Sequence, residues 1–336
     1  MEVFYPKYYE QFSCIAAACP DSCCKEWSVD VDAQSAAYYR SLPGSLGDRL
    51  RQALQDTDDE TIMTIENGRC PMWRQDGLCQ IQKELGHDAL CKVCREFPRL
   101  SHNYGNFIEL GLELSCPEAA RLILSAEDHS WVRTSLPEAD VPEYDPEVMA
   151  TLQRSRNDFE KFLDTTTLPF PHILAVLLLY AYDVQTEIDG GNPAVLTWEK
   201  TLKDVQSFAK SGDAQSIYDF FLGLEILTPQ WASFLKSPVG QPCWTSQHKA
   251  LLRYFIGRYW LQAVSDYDIV SRAKFIIISC LLIGLMGGNI AETAQLFSKE
   301  IENDPDNVEA ILDAAYTSSA FTDLNLLGLL LRKRLF

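Results

Sequence analysis

Nine of the chain's eleven cysteines fall between Cys14 and Cys116, in the runs CIAAACPDSCCKEW (Cys14–Trp27), CPMWRQDGLC (Cys70–Cys79), CKVCREFPR (Cys91–Arg99) and SCPE (Ser115–Glu118). Crowding of thiols on this scale points to disulfides, zinc or an iron–sulfur cluster. Disulfides require an oxidising compartment. The start MEVFYPKYYEQFSC lacks the basic and then apolar segments of a secretory leader, so the expected location is cytoplasmic. Zinc sites usually announce themselves as two short Cys pairs, or as Cys pairs with histidines at ligand spacing. Here only Cys91 and Cys94 make a simple C-x-x-C, and neither His87 nor His102 has a second histidine at that spacing. Thiolate ligands drawn from scattered segments make a cluster the first reading and zinc the alternative metal. Cys243 and Cys280, outside the window, read as small buried hydrophobes.

Several elements must position these thiols. DAQSAAYYRSL and LGDRLRQALQDT have helical spacing and are separated by Pro43-Gly44, which predicts two short helices between the first and second cysteine groups. Asn67-Gly68 and Asp76-Gly77 are turn formers, and they predict a hairpin-like loop with Cys70 and Cys79 near its ends. KELGHDALCKVCREF reads as helix, broken at Gly86 and stopped at Pro98, with Cys91 and Cys94 on one face. Cys23 and Cys24 are neighbours expected to point different ways, so only one of them is expected on a shared cluster. Residues 1–13, rich in Phe and Tyr, read as an extended lead-in packed against the cysteine domain.

Residues 126–147 are acidic and carry Pro137, Pro142 and Pro146, the composition of a linker. Asp145-Pro146 then supplies a cap and a first-turn proline for a helix running to about Leu163. Helical periodicity recurs in HILAVLLLYAYDVQTEI, in PAVLTWEKTLKDVQSFAKS after Asn192, and onward to the end of the chain. The expected fold is mainly α. A cysteine-rich metal or cluster domain of short helices and a small β-hairpin spans residues 1–125, and an all-α, substrate-presenting domain spans residues 148–336.

A formal net charge of −18 argues against a nucleic-acid partner, because phosphate recognition needs clustered Lys and Arg. The most apolar run, FIIISCLLIGLM from Phe275 to Met286, is shorter than the ~20 residues that cross a bilayer, and Arg272 and Lys274 precede it. It reads as a buried core helix, with no membrane insertion. No strand followed by a glycine-rich turn marks a nucleotide-binding fold, and neither a P-loop nor a G-x-S-x-G elbow is present. The C-x3-C-x2-C pattern of radical enzymes is also missing: Cys19 and Cys23 start it, but Glu26 stands at the third position.

Cys14, Cys19, Cys23, Cys24 and Trp27, then Cys70, Pro71 and Cys79, then Cys94, Phe97, Pro98 and Arg99, then Cys116, Pro117 and Glu118 together resemble the flagellin lysine-N-methylase family. The cysteine region of that family is related to the CxxCxxCC group of zinc- or iron-chelating domains. Weaker similarity continues around LLRYFIGRYW and SRAKFIII. Cys91 lies outside the pattern, which makes it the weakest ligand candidate of the nine.

The resemblance implies metal ligands among Cys14, Cys19, Cys23, Cys24, Cys70, Cys79, Cys94 and Cys116. It also implies transfer of a methyl group from S-adenosylmethionine to lysine ε-amines of flagellin, with a 4Fe-4S cluster taking part. A cluster held by three thiolates leaves one iron open to the amino and carboxylate groups of S-adenosylmethionine, which would replace the missing glycine-rich fold. Arg95 and Arg99 are then expected to grip the cofactor carboxylate or tune the cluster, and Trp27 to cover the site. Tyr104, His102 and Glu118 are the candidates for proton removal. Two rival readings stand beside this one: a non-catalytic zinc- or iron-chelating or metal-sensing module with a helical docking domain, and a redox switch on Cys91 and Cys94.

Overall fold

The computed structural model describes residues 1–57, 60–137, 141–208, 212–236 and 244–331, so Cys243 lies outside the described residues. The fold is mainly helical, with a small sheet region contributed by the first 135 residues. The buried apolar residues form two cores. One hydrophobic core is made by residues between Val29 and Cys94, including Tyr39, Leu50, Met63, Met72 and Ile81. The other joins Tyr8 and Phe12 to residues from Phe107 onward, among them Cys116 and the helix Pro117–Ser125 behind it.

The aromatic lead-in is a strand rather than a loose extension. Glu2–Pro6 sits inside a four-stranded sheet, parallel to Phe107–Leu112 and antiparallel to Trp131–Ser135, with Arg99–Asn103 beyond Phe107–Leu112. Trp131–Ser135 lies within the stretch read as a linker; its main chain pairs with Glu2–Pro6 and closes one edge of the sheet, with Val132 half-buried and its other residues exposed. Arg99–Asn103 and Phe107–Leu112 form a hairpin turned by Gly105 at φ +86°, whose N–H donates to the Asn103 side chain at 2.8 Å.

In the cysteine lobe, Val29–Asp30, Thr61–Met63 and Leu54–Asp56 make a three-stranded sheet beside the helices Ala33–Ser41 and Gly44–Ala53. Asp32 caps the first helix through Ser35 and also accepts from the Lys92 N–H at 2.8 Å, which ties down the short helix carrying Cys94. Both turn dipeptides behave as their types dictate. Asn67 and Gly68 have φ of 53° and 73°, and Gly77 has φ 79°.

The helical body is organised around Ile269–Met286, which packs against Phe170–Ile188, Gln247–Tyr259 and Pro305–Thr317. Apolar residues occur all round this helix, so it is buried on every side. It is long and apolar enough to cross a membrane, but 89% of it is buried within the fold. Its two cations are paired: Arg272 with Asp266 at 2.7 Å and Lys274 with Asp323 at 2.9 Å. Asp145 caps the helix Pro146–Thr165 as its sequence predicts. After Asn192 the helix begins only at Glu199, because residues 193–198 run irregularly.

Candidate functional site

A cleft of about 440 Å³ opens where the cysteine lobe meets the sheet and the helix Pro117–Ser125. Cys14, Cys19, Cys23, Cys24, Cys79, Cys94 and Cys116 all line it. Its volume is in the range of small-molecule sites. Cys14 and Cys19 flank the single turn Ala16–Ala18, Cys79 and Cys116 precede helices, and Cys91 opens the helix that carries Cys94. The Cys70 N–H donates to the Cys24 carbonyl at 2.8 Å, so the turn after Asn67-Gly68 presses the second cysteine run onto the first.

Cys24 is close enough to Cys23, Cys70 and Cys79 for the four thiols to influence one another's protonation. Cys23 and Cys24 occupy a turn, and both line the cleft. The neighbouring Cys24 pulls Cys79 down to about 6 and also lowers Cys23 and Cys70, while Cys24, which keeps its proton among them, is raised. Cys91 and Cys94 act on each other in the same way, lowering Cys91 and raising Cys94. At the other end of the cleft burial pushes Cys116 up to about 11, with Cys19 and Cys14 close enough to add to the effect.

All described cysteines are free thiols. Among the described residues no three His, Cys, Asp or Glu side chains stand in finished metal-binding geometry. The all-sulfur donor set suits zinc or an iron–sulfur centre.

Part of this chain is similar to known proteins. It is 34% identical over 133 residues to the flagellar biosynthetic protein FliU of Salmonella muenchen, covering 37% of this chain and 77% of that one. The chain belongs to the flagellin lysine-N-methylase family. It is also 29% identical over 223 residues to lysine-N-methylases of Salmonella typhimurium and Salmonella choleraesuis, covering 62% of this chain and 49% of each of those. The chain thus spans about half the length of the lysine-N-methylases it matches. No family model matches it, and no solved structure does.

The residues that the methylase family brings to mind divide sharply in place. Arg99 lines the cleft, with its guanidinium 5.0 Å from the Phe12 ring. Trp27 packs on Phe97, a lining residue, with ring centres 6.2 Å apart. Arg95 turns back to the Leu90 carbonyl at 3.2 Å. Glu118 is held by Arg121 at 2.6 Å, which lowers its carboxyl. His102 and Tyr104 lie on the hairpin away from the thiols. Tyr104 stacks on Phe107 at 4.8 Å, and burial lowers His102 and raises Tyr104.

Sequence reading missed the polar clamp beside the cleft. Lys299, only 4% exposed, pairs with Asp21 at 2.9 Å and Glu26 at 2.5 Å, and its Nζ stands 5.1 Å from the Trp27 ring centre. Gln295 adds bonds to Asp21 at 2.9 Å and to the Ser115 carbonyl at 3.1 Å. Burial alone would raise the Asp21 carboxyl, but Lys25 and Lys299 outweigh it and hold it well below the usual carboxylate range. Lys299 sits on a π-helical turn, Ser298–Glu302, that follows the helix Ile290–Phe297. Asp21 was visible inside CPDSCC, yet nothing local to SKEIE marks Lys299 as its partner.

Proposed function

We propose that this chain is a cytoplasmic protein lysine N-methyltransferase that moves a methyl group from S-adenosylmethionine to lysine ε-amines of flagellin. The observation that carries this reading is the set of seven cysteines lining one small-molecule-sized cleft in a relative of lysine-N-methylases. Cys23, Cys24, Cys70, Cys79 and Cys94 are the thiols from which the ligands of a 4Fe-4S cluster would be drawn. Bound there, a cluster would supply an iron able to chelate the amino and carboxylate groups of S-adenosylmethionine.

The chain's own residues have separate tasks. Arg99 offers a guanidinium to a carboxylate in the cleft. Phe12 and Phe97 wall it with apolar surface, which excludes water and favours a neutral lysine. The Lys299–Asp21–Glu26 clamp holds the first cysteine run against the helical body. A neutral lysine nitrogen in line with the methyl carbon forms the N–C bond as the C–S bond breaks. The electron pair stays on sulfur, and the new ammonium loses a proton to solvent. His102, Tyr104 and Glu118 do not line the cleft, so this scheme gives them no part in that step.

A second reading rests on the Cys24 contacts, since four thiols are also the donor set of a closed structural zinc site. Metal and acid-labile sulfide content of protein purified without oxygen separates the two. About four irons and four sulfides per chain, with methylated flagellin lysines detected by mass spectrometry after incubation with S-adenosylmethionine, is the expected result. Stoichiometric zinc with no sulfide, and no methyl transfer, would favour the non-catalytic module.

A further inference from the structure

Arg99–Asn103 is an edge strand of the four-stranded sheet. Its hairpin is closed by the Tyr104 N–H to the Phe107 carbonyl at one end, and by the Glu113 N–H to the Pro98 carbonyl at the other. That register turns the main-chain groups of Leu100 and His102 inward, and those of Ser101 and Asn103 outward. Among the described residues the outward groups have no backbone partner. Open edges of this kind are ready-made templates for another strand.

A groove runs beside this edge in two adjoining parts that share His102 and Gln262. One, of about 930 Å³, is lined by Ser101, Asn103 and Glu143, and the other, of about 470 Å³, by Arg272, Glu309 and Asp313. Six carboxylates line the two parts (Glu143, Asp266, Asp268, Glu302, Glu309 and Asp313) against two guanidiniums, Arg258 and Arg272. Among the described residues, Nε of Arg272 and Nε2 of His102 have no hydrogen-bond partner, and both atoms are buried behind the groove wall.

We infer that this groove binds an extended, lysine-bearing polypeptide segment as an added strand on Arg99–Asn103. The inference rests on the reading above that the substrate is lysine within a protein. The outward groups of Ser101 and Asn103 fix the register of such a segment, and the carboxylates select lysine over acidic side chains. The far end of the strand, Arg99, lines the thiol cleft. At roughly 3.3 Å per residue, Asn103 and Arg99 are about 13 Å apart along the strand, so a peptide on this edge leads straight to the cleft.

The test is binding of fluorescein-labelled overlapping flagellin peptides to the whole chain, followed by anisotropy, with methyl transfer to intact flagellin measured in parallel. Ser101→Pro removes an outward N–H at an edge position where proline is tolerated. The double variant Glu309→Lys/Asp313→Lys reverses charge on the exposed side of Pro305–Thr317 without touching the sheet. A lysine-containing peptide is expected to bind, and each variant to weaken it by at least about tenfold. Replacing the peptide's lysine by alanine should abolish its sensitivity to the charge reversal. The inference is overturned if no peptide binds, if both variants bind as tightly as the wild type, or if both methylate flagellin undiminished. Peptide binding with these sensitivities but without methyl transfer would leave the groove standing and overturn the methyltransferase reading instead.

Discussion

The two cores of this molecule are built from different material. The body buries Trp231, Trp260, Phe255, Phe275, Phe297 and Phe321 completely, in a set of helices that close on one another. The lobe between Val29 and Cys94 has Val29, Val31, Tyr39, Leu50, Met63, Met72, Ile81 and Leu90, and fills the remaining space with Cys70 and Cys91. A domain of that size rarely draws more than a few kcal/mol from apolar burial alone, and small folds of this kind commonly lean on metal or disulfide cross-links. On the proposed reading, a metal or cluster held by the cleft's thiols would also stabilise the lobe, while the body stands on its own packing.

Four experiments test that contrast. The largest effect is expected from anaerobic chelation of bound metal, or from Cys24→Ser. Amide exchange protection should collapse across residues 29–94 while the helices Phe170–Ile188 and Ile269–Met286 keep theirs. Equal loss in both regions would show that the lobe and the body unfold as one unit. Next, Phe275→Ala in the body should cost about 3–5 kcal/mol in urea unfolding, with the metal content of the surviving protein unchanged.

The third experiment uses pH. His248 is 3% exposed, packs on Trp244 and Phe170, and is lowered by burial to about 4. The unfolded chain therefore binds a proton on this imidazole before the folded chain does. Its contribution to stability is complete above about pH 6.5 and is lost as the pH falls toward 4, on the order of 3 kcal/mol in all. His248→Gln should remove that part of the pH dependence of the urea midpoint; an unchanged profile would assign it elsewhere. Smallest is Lys299→Met, which leaves Asp21 and Glu26 facing each other without their shared cation. A loss of about 2 kcal/mol is expected, less than for a fully buried pair because both carboxylates keep some solvent. The lobe's exchange protection should fall more than the body's.

Local chemistry was the legible part. Asp145-Pro146, Asn67-Gly68, Asp76-Gly77 and Gly86 act within a few residues, so helix starts and turns at those points could be read directly. The hairpin of Arg99–Asn103 and Phe107–Leu112 passed unread, although NYGN between two apolar alternations was a usable signal. Trp131–Ser135 was hidden by its acidic, proline-containing surroundings. The crowding of the thiols was legible from their spacing, but which of them line one cleft depends on turns, such as that at Cys23 and Cys24, that adjacency alone does not specify.

Read alone, the sequence carried the chemical inventory: nine clustered thiols, the helical periodicity of the second half, and an acidic balance. Spacing carries these because they are properties of composition and of contacts within one or two turns. Only the tertiary structure decided which thiols share one cleft, that Glu2–Pro6 lies between strands more than a hundred residues downstream, and that Lys299 closes on Asp21. Those contacts are set by which faces remain to be buried once the local elements have formed, and that choice is made by the whole packed chain rather than by any stretch of it.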